Sequence, residues 1–430
     1  MRQNRSRHAM TSPQHIFVNR FFYPDHSATS QILSDLAFHL ARGGTRVSVI
    51  TSRGLYDEPK ADLPRFEVKG DVVIHRVYRP RFGRRSIAGR VIDYLAMYQC
   101  FAAAAWRLSE AGDCLIAKTD PPLLSAALTP VARAKKLVFI NWLQDLYPEL
   151  ALGLGMRALT PVAPLMIAAR NASLKAAHCN VVLGQRMRDR LEAVGISAAQ
   201  IEIIHNWCDD ELITPLPRAG NPLRATWGLE DKFVIGYSGN LGRAHEYATL
   251  LDAAELLRDE PDIIFLFIGG GHLTPSLQSE VERRKLAEMF QFRPYQAANE
   301  LANSLAIPDV HWISLLPAME GLIVPSKIYG IAAAGRPTIA VTDPAGEIAE
   351  LVTRNQCGAV VPPGDGRALA QAIRDFKADR PRLNQMGRNA RALLDRSLRK
   401  KIALDHWEQL LQRACATEVE AWADKLVHYL

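Results

Sequence analysis

Residues 320–337, EGLIVPSKIYGIAAAGRP, admit few folds. A short acidic loop at Met319, Glu320 and Gly321 leads through Pro325, Ser326 and Lys327 into a helix of small residues over 328–334. Gly335, Arg336 and Pro337 stop that helix, and the apolar run 338–341 follows. The order is loop, helix, glycine stop and buried strand, a unit of an α/β sheet. Pro325 suits a first helical turn, where a missing N–H costs nothing. A helix start leaves N–H groups free and presents partial positive charge, which suits a phosphate. On its rim, Glu320 offers an acceptor for hydroxyls and Lys327 a cation. The same residues fit equally well a plain αβ unit whose Ala-rich helix lies close on its sheet.

The alternation extends through the chain. Residues 15–19 read as a strand that breaks at 23–26, and a helix over 27–42 carries apolar residues at 32, 33, 36, 37 and 40. Gly43 and Gly44 end it, and 46–50 is a second strand, which makes a βαβ unit. Further strands are expected near 71–77, 113–117, 137–141 and 179–183, with helices near 87–110, 122–134 and 185–194. Such alternation implies a doubly wound parallel sheet. Pro215, Pro217, Gly220 and Pro222 mark a linker. Beyond it, 233–237 opens a second αβ domain. Its first loop holds Gly239, Asn240 and Arg243 ahead of a helix over 246–258, and a strand at 263–268 ends in three glycines, Gly270 among them. The domain reading is a disordered polar segment 1–14, a Rossmann-like domain 15–210, a linker 211–225, a second Rossmann-like domain 226–395, and C-terminal helices 396–430 packing back toward the first.

Length agrees with two domains, since 430 residues exceed one ordinary core. The longest run free of charge and histidine, residues 94–106, has 13 residues, short of the roughly 20 a spanning helix needs. The polar, Arg-rich start has no apolar core, so no secretory signal is read there. Six cysteines without a C-x-x-C pair fit free thiols in a reducing cytosol and argue against a zinc site. Residues 1–215 carry 27 Lys+Arg against 19 Asp+Glu, a net of +8, and the remainder 25 against 26. The basic half is therefore expected to meet an anionic partner. Within it, Arg76, Arg79, Arg81, Arg84, Arg85 and Arg90 fall in 15 residues with no acid among them. Interleaved with Tyr78, Phe82 and Ile87, they suit an anionic membrane surface, where each cation is worth about 1 kcal/mol, or form a solvated loop. Asp145 stands at the C-terminal end of an expected buried strand, facing a cleft or capping a helix. Residues 150–172, apolar but interrupted by Arg157, Pro161, Pro164 and Arg170, read as an interfacial segment or a pair of packed helices.

An ordered set of motifs goes further: SGNLGR at 238–243, GGG at 269–271, PYQ at 294–296, EGLIVPSK at 320–327, AAGRP at 333–337, GEIAEL at 346–351 and CGAVVPPGD at 357–365. With FYPDHSATSQ at 22–31, KTDPP at 118–122, DLYPE at 145–149 and HNWCDD at 205–210, it resembles the GT-B glycosyltransferases of family GT4. The likeness is to members that build bacterial surface polysaccharides of the colanic-acid type, and it spans residues 15–410.

The resemblance implies an α/β protein of two Rossmann-like domains facing across a cleft. It implies a nucleotide-sugar donor on the second domain and a lipid-linked saccharide acceptor on the first. Retention of configuration follows, with no cofactor or metal; no nucleic acid is expected as partner, because the basic half holds no known binding module. The place implied is cytoplasmic, peripheral on the inner face of the membrane. Donor residues would be Gly239, Asn240, Arg243, Gly270, Glu320, Gly321, Lys327 and Glu347. Asp145 and Glu320 would be catalytic, and Asp25, His26 and Thr29 would lie on the acceptor side.

The sequence departs from the family pattern at three places. Gly330 stands where the second carboxylate of a Glu-x7-Glu pair is usual, so Glu347 or Glu350 is left to read a ribose. The diphosphate loop has Asn240 and His245 where an Arg and a Lys are usual. The N-terminal loop has Ser27, Ala28 and Thr29 in place of a glycine pair. A nucleotide-sugar 2-epimerase and a non-catalytic GT-B subunit are the alternatives; the first would need more cleft carboxylates and histidines.

Overall fold

The computed structural model describes residues 12–58, 61–79 and 87–427. The expected disordered segment lies, up to residue 11, outside the described residues. Two sheets organise the chain. The first has the order β3-β4-β2-β1-β5-β6-β7-β8, and the second β11-β10-β9-β12-β13-β14.

The first sheet is built from β1 (His15–Val18), β2 (Val47–Ser52), β3 (Phe66–Lys69), β4 (Val72–Tyr78), β5 (Cys114–Ala117), β6 (Val138–Trp142), β7 (Cys179–Val182) and β8 (Ile201–Ile203). All neighbours are parallel except β3 and β4. Strands β1, β2, β5, β6 and β7 are buried along their whole length, as parallel strands covered on both faces must be. Helices α1 (Ala28–Arg42), α2 (Ile87–Leu108), α3 (Leu124–Lys135), α4 (Ala163–Ala176) and α5 (Gln185–Ala193) connect them. The edge strand β3 has no counterpart in the sequence reading. It has four residues, mostly exposed, and joins β4 through the two-residue turn Gly70-Asp71, both at positive φ. That is the turn chemistry a hairpin of this twist requires.

The second sheet comprises β9 (Phe233–Asn240), β10 (Ile263–Gly270), β11 (Phe290–Arg293), β12 (Val310–Ser314), β13 (Thr338–Val341) and β14 (Gly358–Val361), all parallel. Helix α6 (Lys327–Ala333) precedes β13, and α7 (Glu347–Arg354) follows it. The architecture is α/β with two Rossmann-like sheets.

The chain then returns. Helix α8 (Lys400–Val427) starts with its Lys400 N–H donating to Asp210 Oδ1 at 3.0 Å, while Lys400 Nζ pairs with Asp35 on α1 at 2.8 Å. Trp407, fully buried, packs its ring at a tilt 4.5 Å from that of Trp142 on β6, and Trp207 stacks 6.2 Å from Trp142. Three indoles from β6, the stretch after β8 and α8 thus fill one core with Leu33, Leu36 and Leu404. The last helix is part of the first domain's core, so the two crossings of the seam, outward after β8 and back before α8, are both anchored.

Candidate functional site

The C-terminal ends of the second sheet open into a cleft of about 370 Å³. Its walls include Gly239 near the end of β9, Tyr295 after β11, Lys327 and Gly330 of α6, and, from the other domain, Gln31 of α1 and Asp209. Strands β9 and β10 run in register to Gly239 beside Gly269 and Asn240 beside Gly270. Gly239 and Gly269 both have φ of +122°, and a Cβ on Gly269 would stand 2.5 Å from Gly239 O. Only bare backbone fits there, so the two strand ends close together and present main chain to the cleft.

Lys327 Nζ reaches Asn240 O at 3.3 Å and sits 4.9 Å from the ring centre of Tyr237. Desolvation alone draws its ammonium down to about 8. Among the described residues no ion pair joins it to a carboxylate. His245 is held by Ser314 O at 2.7 Å from Nδ1, and burial, then the Lys327 charge, lower it to about 4. It is neutral at physiological pH. Gly330 faces the same cleft with only ordinary contact for an added Cβ, 3.6 Å from Leu305.

Arg243, Glu320 and Glu347, also named from the sequence, do not line this cleft. Arg243 is exposed, and its Nη2 donates to Leu154 O of the first domain at 3.0 Å rather than lining the cleft. Glu320 accepts from the Thr342 hydroxyl at 2.7 Å and from the Glu347 N–H at 3.2 Å. Burial raises its carboxyl, as do the charges of Asp343 and Glu347. Gly346 makes this approach possible, since a Cβ there would meet Glu320 Oε1 at 2.2 Å. Glu347 and Glu350, the two guesses for a ribose acceptor, both turn to Arg186 of the first domain: Glu347 Oε2 accepts its N–H at 2.8 Å and Glu350 its Nη2 at 3.2 Å. Asp209 is the carboxylate that shares the cleft with Gly330.

On the first domain, Asp25 spends both oxygens on its own loops, taking the Ser27 N–H at 2.8 Å and the Tyr56 N–H at 2.5 Å. His26 is exposed, and Thr29 O accepts from Lys118 Nζ at 3.0 Å. Asp145 lines a separate cavity of about 20 Å³ with Lys118, Thr119 and Tyr147. Its Oδ1 is buried and has no hydrogen-bond partner among the described residues. Burial first, then Asp120, pushes its carboxyl up to about 7, against a hydrogen bond from Thr119 and the charge of Lys118. Lys118, 3.8 Å from the Trp142 ring centre, is drawn down to about 7 by burial, with Asp145 and Asp120 opposing.

Of the arginine stretch, Arg76 departs from the expected membrane-facing set. Arg76 is 1% exposed, pairs with Glu67 at 2.8 Å and donates to Tyr23 O at 2.7 Å, so it faces inward. Arg79 lies 3.8 Å from Asp62. The stretch has no acid of its own, but the hairpin β3–β4 and the loop before it supply two. Arg81, Arg84 and Arg85 lie outside the described residues, and Arg90 is at the start of α2.

Comparison with known proteins decides the family. The family described as Glycosyl transferase 4-like domain matches residues 28–207, and that described as Glycosyl transferases group 1 matches 222–393. The chain belongs to the GT-B glycosyltransferases of family GT4. It is 26% identical over 328 residues to the probable glycosyltransferase WbjE of Pseudomonas aeruginosa, covering 76% of this chain and 81% of that one. It is 28% identical over 238 residues to the putative colanic acid biosynthesis glycosyl transferase WcaI of Escherichia coli K12, covering 54% of this chain and 58% of that one. In fold it is similar to Anabaena HepE solved in complex with UDP, with a TM-score of 0.69 at 16% identity over 93% of this chain and 100% of HepE.

Within this glycosyltransferase the sequence reading passed over three groups. Tyr295, 63% exposed at the cleft, stands against Gly269 and Gly270; the PYQ motif marked it without giving it a task. Lys118 lay in the KTDPP motif, and only the fold puts it beside Asp145. Arg186 and Arg190 of α5 and its N-cap Gly184 meet the second domain across a gap in sequence that no spacing rule bridges. If Asp145 acts as the anion, turnover should rise as pH passes upward through about 7. Asp145→Asn should abolish that limb and lower turnover by about a hundredfold. A pH profile unchanged in the variant would remove Asp145 from the chemistry.

Proposed function

We propose that the enzyme moves a sugar from a nucleotide diphosphate, with retention, to a lipid-linked, diphosphate-bearing acceptor during surface polysaccharide synthesis. The observation that carries this reading is Lys327: a half-buried amine with no acidic partner among the described residues, beside two bare glycine strand ends, at the mouth of a nucleotide-sized cleft. A diphosphate supplies the missing negative charge, and the glycine backbone lets it approach closely. HepE has been solved with UDP-glucose as well as UDP, and WcaI is named for colanic acid; both support the class of donor and product. Tyr295 offers a ring to a nucleobase, and Asp209 an acceptor to a ribose where Gly330 withholds one.

In this scheme the donor C1–O bond breaks as the acceptor hydroxyl attacks from the same face. The departing phosphate oxygen takes the hydroxyl proton, so no protein base is consumed and no metal takes part. Lys327 stabilises the charge that develops on the leaving diphosphate, and the Glu320 carboxylate is assigned to the donor sugar. Asp145, as the anion, stabilises the sugar cation or orients the acceptor.

A membrane contact belongs to the same reading, moved from the arginines to an apolar face. Val91, Ile92 and Leu95 of α2 are exposed, as are Val162 and Leu165 at the start of α4, the last by 74%. Helix α3 lies between and packs on both. The three helices carry six Lys and Arg but one acid, Asp93, which is buried. Among the described residues no helix is long and apolar enough to cross a membrane, so the contact is interfacial and the enzyme sits on the inner face beside its acceptor.

Two measurements test this. Lys327→Ala should weaken UDP binding by about 1.5–3 kcal/mol in calorimetry, and wild-type affinity should fall as pH rises above about 8 and the amine discharges. Equal affinity in both proteins would contradict the donor grip. Ile92→Asp with Leu165→Asp should reduce co-sedimentation with phosphatidylglycerol vesicles by about tenfold, each lost apolar contact being worth roughly 1.5–3 kcal/mol. Unchanged sedimentation would rule this face out.

A further inference from the structure

The seam between the domains holds a contact whose purpose the donor site does not explain. Helix α5 begins at Gln185 with Gly184 as its N-cap, so no side chain of its own satisfies its first N–H groups, and its first turn has no acid. The missing cap comes from the other domain. Glu347 Oε2 accepts the Arg186 N–H at 2.8 Å, and the carboxylate lies so close that a Cβ on Gly184 would stand 2.4 Å from Glu347 Cδ. Glu347 is itself the first residue of α7, and its own N–H donates to Glu320 Oε2 at 3.2 Å. One residue thus caps a helix of the first domain with its side chain while its backbone binds the proposed donor-sugar carboxylate.

A second set of contacts closes the loop. Arg190, one turn along α5, donates from Nε to the backbone oxygen of Glu320 at 2.8 Å. Gly321, with φ of +70°, turns the chain under it; a Cβ there would meet Arg190 Nε at 2.6 Å and Arg186 O at 2.8 Å. Leu322 then enters the core of the first domain beside Leu146, Met187 and Leu191, and its carbonyl takes the Leu146 N–H at 3.0 Å. Both the carboxylate and the backbone of Glu320 are therefore fixed by groups that α5 touches.

We propose that α5 is a positioning element for Glu320: Arg190 and the capped N–H of Arg186 set the Glu320 turn and the start of α7, so that the carboxylate is aimed at the donor sugar while the two domains are docked. Arg186 and Arg190 touch no substrate in this scheme; they act through Glu320. When the domains part, α5 loses its cap, the turn loses its anchor, and bound donor is left without an aligned carboxylate. The cleft glycines and Lys327 keep their places, because they depend on the second sheet alone. Donor binding and donor use are thereby separated, and bound donor is spared hydrolysis while the acceptor domain is undocked. The proposal rests on the reading of Glu320 as a donor-site group.

The test uses the full chain with UDP as the binding probe and a panel of UDP-, GDP- and dTDP-sugars for turnover, the best wild-type substrate being carried forward. Arg190→Ala and Glu347→Ala should each lower kcat by at least about tenfold with UDP affinity within twofold of wild type, a split that a loss of uniform binding would not give. Arg190→Lys, which keeps a donor for the Glu320 oxygen, should recover most of the rate. Arg188→Ala, which breaks only a surface pair with Glu192, should match wild type. Wild-type turnover in Arg190→Ala and Glu347→Ala overturns the proposal. So does a kcat loss tracked by an equal loss of UDP affinity, or one shared by Arg188→Ala. If Glu320→Gln itself turns over normally, or the wild type turns over no sugar, the reading of Glu320 fails instead.

Discussion

The hydrogen bond from the Arg186 N–H to the Glu347 carboxylate ties a helix of the first domain to a helix of the second. Its geometry is that of a helix cap, and a cap of this kind is worth about 1 kcal/mol when it comes from the helix's own chain. Supplied from the opposite domain, that free energy counts toward docking rather than toward helix stability. The glycines around it show how tightly it is drawn: Gly184, Gly321 and Gly346 each stand where a Cβ would collide with a charged side chain from across or along the seam. Three missing side chains bring two carboxylates and two arginines into one layer.

The cleft works on a different principle. The seam pairs Arg186 with Glu350, while Lys327 has no acidic partner among the described residues and is partly desolvated. An amine so placed is costly until an anion arrives, and the cost returns as affinity when a diphosphate binds. The glycines of β9 and β10 contribute by what they lack, since side chains there would hold the phosphate away from the main chain. Position is supplied by the seam and attraction by the cleft. An enzyme that must bind donor before it commits to transfer benefits from keeping the two apart.

Much of this was legible in the sequence, and the limits are physical. Buried parallel strands announce themselves as apolar runs, so β1, β2, β5 and β6 stand where periodicity puts them. The glycines at 239 and 269–271 and the cation at 327 follow from local motifs. What failed to show were contacts between residues far apart in sequence. Arg76 looked free because its partner Glu67 arrives through an edge hairpin too short and too exposed to read as a strand. Glu347 looked like a ribose acceptor because nothing near it in sequence reveals Arg186, 161 residues away. Arg243 looked like a diphosphate ligand, yet a carbonyl of the other domain lies within its reach. Asp145 was visible as a carboxylate at a strand end, but its tie to Lys118 needs β5 and β6 laid side by side.

The central claim is that the glycine strand ends and α6 together hold a nucleotide diphosphate. Amide hydrogen exchange with and without UDP addresses it directly, because bound phosphate oxygens slow the N–H groups they contact. Slower exchange over residues 238–242, 269–271 and 326–331, with the β3–β4 hairpin unchanged, is the predicted result. Exchange that UDP leaves unaltered in those three stretches would contradict the account.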